Sequence, residues 1–197
     1  MFKTLTIAAA AALTLMAGAQ SAYALGPVNL ARGLNQNSGV QYLVARQATL
    51  APFAFVKFCR SNPADCSSSG GASIAHLTTE RERVLRRVNA QINRSIRPTN
   101  EIGRNDVWQA DVASGDCEDF ALTKRRKLIS LGWSPRTLRI AVARTASGEG
   151  HAVLVVKTSK GDLVLDNRTS AIKRWQRTDL NWVKIQSAEN PRRWYSL

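Results

Sequence analysis

The most informative part of this 197-residue chain is the stretch Ser114-Gly115-Asp116-Cys117-Glu118-Asp119-Phe120-Ala121. A glycine stands two residues before the cysteine, and a helix-forming segment follows it. This pattern predicts that Cys117 lies at a helix N-terminus, where the positive end of the helix dipole favours the thiolate. The thiolate is the reactive form of cysteine, so Cys117 is a candidate nucleophile.

Two residues further along the chain complete a potential catalytic set. His151 lies in Gly148-Glu149-Gly150-His151-Ala152-Val153-Leu154, and Asp166 lies in Leu163-Val164-Leu165-Asp166-Asn167. A nucleophile, a base and a carboxylate that orients the base are the groups that covalent catalysis requires. Each residue also has an ordinary structural interpretation: a small buried side chain, a surface histidine and a turn aspartate.

The segment after His151 predicts a β-hairpin that would bring His151 and Asp166 together. The cluster Ser159-Lys160-Gly161-Asp162 is typical of a turn. If residues 158–161 form a four-residue loop, Lys157 pairs with Asp162 and Val153 faces Asp166. His151 and Asp166 then become diagonal neighbours on one face, whereas a slip of one residue would place them on opposite faces.

The remaining pattern predicts helices first and an antiparallel sheet second, which is the α+β class. A capping box at Thr79-Glu80-Arg81-Glu82 is expected to start one helix, which Pro98 ends. A second helix is expected from Cys117 to Leu131, with residues 124–127 facing water. Aliphatic and β-branched runs predict strands near 138–142, 152–156, 163–165 and 182–185.

The three cysteines divide into a close pair and a single residue. Cys59 and Cys66 enclose a short loop that contains Asn62-Pro63, and a disulfide could close this loop in an oxidising compartment. The alternative is that both thiols are reduced and packed. If the pair is bridged, Cys117 is the unpaired cysteine, as a reactive thiol would be.

Residues 1–24 have the features of a signal peptide. Lys3 precedes an uncharged, mostly apolar stretch from Leu5 to Ala17, and Ala22-Tyr23-Ala24 fits a cleavage site. The mature protein is then expected to be a single domain, residues 25–197, located in the periplasm or secreted. The alternative is an uncleaved N-terminus that acts as an anchor.

The chain is strongly basic, with 28 lysines and arginines against 14 acidic residues and a net charge of +14. Such a surface favours acidic proteins, anionic envelope polymers or lipid headgroups, although the charge could also serve solubility alone. Export argues against an intracellular nucleic acid, and no nucleic-acid-binding motif is evident. We therefore expect no nucleic-acid partner, and the sequence leaves the oligomeric state open.

Three runs together resemble the bacterial transglutaminase-like cysteine proteinases: Gly115–Ala121, Gly150–Val156 and Leu165–Asn167. Phe58-Cys59, Cys66 and a tryptophan before the nucleophile also fit, and the resemblance extends from about Ala51 to Trp182. It implies a papain-like α+β core with a triad of Cys117 as nucleophile, His151 as base and Asp166 as orienter. Trp108 would flank the substrate and oxyanion side of the site, and the backbone N–H of Cys117 would help to form the oxyanion hole.

The resemblance also implies a cofactor and a substrate class. The best-understood members of this family are periplasmic, calcium-dependent proteases that release surface adhesins. It assigns calcium binding to Asp116 and Glu118, which could instead be acids that complement the helix dipole. The implied partner is a protein substrate, such as an acidic surface adhesin, with additional contact to an anionic envelope surface.

The leading functional hypothesis is therefore an exported cysteine protease that cleaves a peptide bond in an envelope or surface protein. The same triad would also serve a transglutaminase or amidase that transfers the acyl group to another acceptor. Non-enzymatic alternatives are a basic envelope-binding protein and a protein whose partner binding is regulated by calcium. The intact-looking triad argues against the envelope-binding alternative.

Overall fold

The computed structural model of the protein describes residues 41–67, 70–99 and 106–197. They belong to one compact unit, Gly39–Leu197. The signal peptide expected at residues 1–24 lies outside the described residues. None of the helices described here has the length and apolar character needed to cross a membrane.

Three α-helices precede most of the sheet: α1 (Phe53–Ser61), α2 (Thr79–Ser95) and α3 (Cys117–Ser130). Pro52 precedes the first turn of α1, a position where its missing N–H costs nothing. Thr78 rather than Thr79 caps α2, because its hydroxyl accepts a hydrogen bond from the backbone N–H of Arg81 at 3.2 Å. The N-cap was therefore predicted one residue too late, and Arg81 at the third helical position cannot complete the predicted capping box.

Nine strands form two sheets in the described part of the chain. Seven of them form a mainly C-terminal antiparallel sheet in the order β1-β9-β8-β4-β5-β6-β7, and β2 and β3 form a short parallel pair. The α+β prediction, with helices packed on an antiparallel sheet, is confirmed. The strands are β1 (Ala48–Thr49), β2 (Arg97–Pro98), β3 (Ser114–Gly115), β4 (Leu138–Arg144), β5 (Gly150–Thr158), β6 (Gly161–Leu165), β7 (Lys173–Arg174), β8 (Asn181–Gln186) and β9 (Trp194–Ser196).

The β5–β6 hairpin has the predicted register. Lys157 pairs with Asp162, and the ladder continues to Leu154 opposite Leu165. Thr158 also pairs with Gly161, so the loop contains two residues instead of four. Gly161 has a positive φ of 102°, which a residue with a side chain rarely adopts, and this favours the tight turn.

The helices cover one face of the sheet and form the main core. Phe55 of α1 lies at its centre and makes edge-on contacts with Trp108 and Trp194, at ring-centroid distances of 5.6 and 5.4 Å. Alternate side chains of β5 lie on opposite faces of the sheet. Leu154 packs against the helices, and Val153 packs in a second apolar cluster on the other face. Helix α3 contacts β5 directly, and the hydrogen bond from the backbone N–H of Ala152 to Sγ of Cys117 shows that the start of α3 lies beside the start of β5.

Helix α3 is less exposed than its sequence indicates. Lys124 and Arg125 are buried, so the prediction that residues 124–127 all face water is wrong. Arg125 donates from Nε to the carbonyl of Leu138 at 3.1 Å and from Nη1 to the carbonyl of Asp65 at 2.6 Å. Burial is tolerated there because the guanidinium joins β4 to the segment that contains Cys66.

A disulfide joins Cys59, in α1, to Cys66, at the end of the short 3-10 helix Pro63–Cys66. The Cα atoms of the two cysteines are 5.5 Å apart, a usual distance for a disulfide. The bridge expected from the sequence is thus present in the structure. Cys117 remains as the free cysteine among the described residues.

Candidate active site

Cys117 is the first residue of α3, as the sequence predicts. The carboxylate of Asp119 stabilises this helix start by accepting hydrogen bonds from the backbone N–H groups of Gln109 at 2.7 Å and Asp116 at 3.3 Å. Gly115 is required next to it, because a Cβ atom at this position would overlap the Asp119 carboxylate. The glycine and the third helical residue therefore fix the direction in which the thiol points.

The thiol of Cys117 has two hydrogen-bond partners. Its Sγ accepts from the backbone N–H of Ala152 at 3.2 Å and donates to Oε2 of Glu118 at 3.2 Å. Burial and the negative charge of Glu118 raise the pKa of the thiol above its usual value, and the Ala152 N–H opposes them. When Glu118 is ionised, the site therefore favours the neutral thiol of Cys117 over the thiolate.

His151 and Asp166 lie side by side on adjacent strands. Nε2 of His151 is 2.9 Å from Oδ1 of Asp166, and both side chains are buried. The hairpin register accounts for this contact: continuing the ladder from Leu154 opposite Leu165 sets Val153 opposite Asp166 and His151 diagonal to it. The contact leaves Nδ1 as the second ring nitrogen for proton transfer.

Cys117 and His151 line the same cleft, which has a volume of about 290 Å³. Trp108 is buried and forms part of its wall, together with Pro52 and Val142. The cleft thus contains the predicted nucleophile, base and flanking tryptophan, and Asp166 lies behind His151. Such an arrangement can support nucleophilic attack by a thiol on an acyl group.

The matching sequence profile is that of the bacterial transglutaminase-like cysteine proteinases (BTLCP), and it covers residues 45–197. The chain belongs to this family. It is accordingly a cysteine peptidase with a transglutaminase-like fold. No curated protein gives a significant match to the chain.

Solved structures of LapG resemble this one. Calcium-bound LapG from Legionella pneumophila is 30% identical, with 58% of this chain and 68% of LapG aligned at a TM-score of 0.52. EGTA-treated LapG from the same organism is 31% identical, with 59% and 67% of the two chains aligned and a TM-score of 0.52. At this identity the two proteins are similar in sequence as well as in fold.

Three acidic residues of this BTLCP form a compact group beside the thiol of Cys117. One carboxylate oxygen each from Asp116, Glu118 and Asp119 lie within 4.8 Å of one another. Asp116 Oδ1 is buried and accepts no hydrogen bond from any residue that the structure describes. Burial and the neighbouring Asp116 carboxylate raise the pKa of Glu118 to about 9. Such closely placed carboxylates need a proton or a cation to balance their charge.

This acidic group fits calcium, a hard cation that prefers oxygen ligands. Asp116 and Glu118 were predicted as ligands, and Asp119 is a third acid that sequence reasoning did not include. It is the third residue of α3, a position where acids commonly complement the helix dipole, so its type alone does not indicate a ligand. Calcium binds about six to eight oxygens, so backbone carbonyls or water would have to complete the shell.

Sequence reasoning also missed the residue that holds Asp166. Arg168 donates its backbone N–H to Oδ1 of Asp166 at 2.9 Å, and its Nη2 to Oδ2 at 2.8 Å. The same guanidinium donates to both carboxylate oxygens of Asp179, at 2.8 and 3.1 Å. Burial opposes ionisation of Asp166, but the hydrogen bonds from His151 and Arg168 outweigh it and lower its pKa.

Helix α2 and helix α3 each contribute one further polar residue near Asp166. Asn93 donates from Nδ2 to the backbone carbonyl of Asp166 at 2.9 Å and so fixes the chain on which the carboxylate is carried. Lys124 is fully buried, and its ammonium group has no hydrogen-bond partner in the described part of the chain. Burial lowers the pKa of Lys124 to about 7, although the negative charge of Asp166 opposes this shift.

Proposed function

We propose that this protein is an exported cysteine protease that cleaves a peptide bond in a cell-envelope or surface protein by means of Cys117, His151 and Asp166. The observation that carries this proposal is the 2.9 Å contact of His151 Nε2 with Asp166 Oδ1 beside the cleft that Cys117 lines. Membership of the BTLCP family supports cysteine peptidase chemistry. The proposal assigns the roles of nucleophile, base and orienting carboxylate to Cys117, His151 and Asp166.

In the proposed reaction His151 accepts the proton of Cys117 on Nδ1, and Sγ attacks the carbonyl carbon of the scissile bond. Asp166 keeps the imidazole in one orientation through Nε2 and stabilises the imidazolium that forms. His151 then gives the proton to the leaving amine, which produces a thioester. Water then attacks the thioester with His151 as base, which releases the carboxylic acid product and regenerates the free thiol.

The negative oxygen of the tetrahedral intermediate would face the N-terminus of α3. The backbone N–H of Cys117 is one of the first N–H groups of this helix, which have no partner within the helix. It can therefore donate to the oxyanion, and the helix dipole adds to the stabilisation. Trp108 forms the adjacent wall and excludes water from the substrate.

We further propose that calcium binds to Asp116, Glu118 and Asp119. The unpartnered, buried Asp116 Oδ1 and the close spacing of the three acids support a cation at this position. Bound calcium would supply positive charge that offsets the carboxylates next to the thiol. A calcium-bound structure of LapG exists, which is consistent with this assignment.

The proposed setting is the periplasm, and the substrate is a surface protein such as an adhesin. The features of residues 1–24 support export by a cleaved signal peptide. The Cys59–Cys66 disulfide is typical of an oxidising compartment. In this proposal residues 25–197 form a single domain.

The test is cleavage of envelope proteins from the organism that makes this protein, in the presence of calcium. New N-termini, identified by mass spectrometry, are expected with the wild-type protein and none with Cys117→Ser or His151→Ala. His76→Ala is the matched control, because His76 is the other histidine of the chain and is exposed. Incorporation of a labelled amine without new N-termini would instead assign acyl transfer and overturn the protease proposal.

A further inference from the structure

A second cleft lies apart from the active site, between the first half of α2 and the β6–β7 side of the sheet. It has a volume of about 330 Å³ and shares no lining residue with the cleft that contains Cys117. Five of its nine lining residues are basic, and one is acidic. The basic residues are Arg86, Lys160, Lys173, Arg174 and Arg177.

The positive charge of this basic cleft is only partly balanced. Glu82 accepts a hydrogen bond from Arg86 at 2.6 Å and lies 3.7 Å from the ammonium group of Lys160. Lys173, Arg174 and Arg177 are exposed and form no ion pair with any residue in the described ranges. Three cations that converge on one concave surface without a counter-charge favour an anionic ligand.

The other walls of the cleft indicate what kind of anion fits. Leu77, Leu163 and Ile172 provide an apolar surface between the charged side chains. Within the described residues β7 is the last strand of the sheet and pairs with β6 alone, so its outer backbone groups are available to another strand. Apolar surface and a strand edge suit an extended peptide better than a small phosphate.

We propose that the basic cleft is an exosite that binds an extended acidic segment of the protein substrate. The carboxylates of this segment would pair with the arginines, whose planar groups can donate two parallel hydrogen bonds, and apolar side chains between them would contact the apolar wall. This inference rests on the proposed function, because it assigns the cleft to the substrate of that protease.

The geometry limits where the acidic segment can lie in the substrate. Leu163 pairs with Val156, which is five residues along β5 from His151, and β7 is two strands across from β5. With about 3.3 Å per residue and about 4.8 Å per strand, the cleft is about 20 Å from His151. An extended chain needs at least about six residues to cover this distance, so the acidic segment and the scissile bond are separated by at least that number.

The test uses a fluorescein-labelled peptide of alternating Asp and Val residues, with an Asn-Val peptide of equal length as its neutral counterpart. Fluorescence anisotropy at low salt is expected to detect binding of the Asp peptide, and binding is expected to weaken as salt screens the charges. The double variant Arg174→Glu/Arg177→Glu is expected to lower the affinity at least about tenfold, because like charges then face the peptide.

A matched control shows whether the loss of affinity is specific to the basic cleft. Arg87→Glu/Arg94→Glu makes the same charge change at two exposed arginines of α2 that do not line the cleft, and the affinity is expected to stay within about twofold. Equal binding of the Asn peptide, or an equal loss in the control, would overturn the proposal. Cleft-dependent binding of phosphatidylglycerol vesicles without binding of the Asp peptide would also overturn it.

Failure of the exosite and failure of the protease can be told apart. Cys117→Ser is expected to bind the Asp peptide with unchanged affinity, since Cys117 lies outside the cleft. The Arg174→Glu/Arg177→Glu protein is expected to retain the wild-type rate of iodoacetamide labelling at Cys117. Loss of peptide binding in Cys117→Ser would contradict the proposal that the basic cleft and the active site are separate sites.

Discussion

Arg168 donates hydrogen bonds to both carboxylate oxygens of Asp166, from its backbone N–H to Oδ1 at 2.9 Å and from Nη2 to Oδ2 at 2.8 Å. Oδ1 is also the oxygen that contacts His151. The proposed orienting residue is therefore held by an arginine that Asp179 holds in turn. A carboxylate fixed in this way keeps the imidazole in one position, and loss of the arginine would weaken that restraint.

Arg168→Gln is therefore expected to lower kcat by about tenfold with a smaller effect on KM, because His151 loses its fixed partner. It should also lower the free energy of unfolding at pH 7 by about 2 kcal/mol, a typical value for hydrogen bonds to a charged group. Steady-state kinetics and urea denaturation measure the two effects.

The pH dependence distinguishes this role from simple packing. The pKa of Asp166 is lowered in the folded protein, so its contribution to stability is present above the unfolded pKa of about 4 and is lost as the pH falls below it. The difference in stability between wild type and Arg168→Gln should therefore shrink from pH 7 to pH 3. A difference that is constant with pH, or one reproduced by the exposed control Arg94→Gln, would contradict the prediction.

Local patterns in the sequence predicted the parts of the site that depend on short-range rules. The helix start at Cys117 follows from a glycine and a helix-forming segment, and the pairing of Lys157 with Asp162 follows from turn residues in the hairpin. The contact between His151 and Asp166 is a consequence of that register. These features could be predicted because a few neighbouring residues determine them.

The residues that sequence reasoning missed are those whose position depends on tertiary packing. Lys124 looks like a water-facing residue of an amphipathic helix, but α3 is covered on this side, and the lysine is buried. Arg168 follows Asp166 by two residues, and nothing in its type indicates that the chain turns back so that it contacts the carboxylate. A pattern along one element cannot reveal what packs against it.

Removal of calcium is expected to slow labelling of Cys117 by iodoacetamide at least about tenfold at pH 10, where Glu118, with a pKa of about 9, is ionised. Glu118 Oε2 lies 3.2 Å from Sγ, and burial together with this carboxylate raises the pKa of the thiol. A cation held by Glu118 cancels its charge, lowers the thiol pKa and increases the thiolate fraction. Labelling rates in calcium and in EGTA, measured by mass spectrometry, provide the comparison.

Glu118→Gln separates the effect of charge from that of the metal. At pH 10 the wild-type Glu118 is ionised, whereas the glutamine carries no charge. Labelling of the variant in EGTA is therefore expected to be faster than that of the wild type, and added calcium should have little effect. Glu80→Gln, at an exposed acid of α2, should behave as the wild type does. A wild-type protein whose labelling rate is the same in calcium and EGTA would rule out the proposed link.

Lys124→Met tests the cost of the buried ammonium group. Burial lowers the pKa of Lys124 to about 7, against about 10.4 in the unfolded chain, so the unfolded state binds more protons between these values. Stability due to this residue therefore rises with pH across that range. From pH 7 to pH 9 the wild type should gain about 2 kcal/mol relative to Lys124→Met, by urea denaturation. Lys127→Met, at an exposed lysine of α3, should show no such difference.

Gly115→Ala is expected to destabilise the protein by about 2 kcal/mol, because the added methyl group would overlap the Asp119 carboxylate and displace it from the helix start. The loss of this carboxylate also frees the N–H groups of Gln109 and Asp116, so Cys117 should lose its fixed position. Thermal denaturation and iodoacetamide labelling measure the two consequences. Gly150→Ala is the matched control, since a Cβ atom there meets no heavy atom within 4 Å, and its stability should be close to that of the wild type. Equal stability of the two variants would mean that the contact between Gly115 and Asp119 does not determine the helix start.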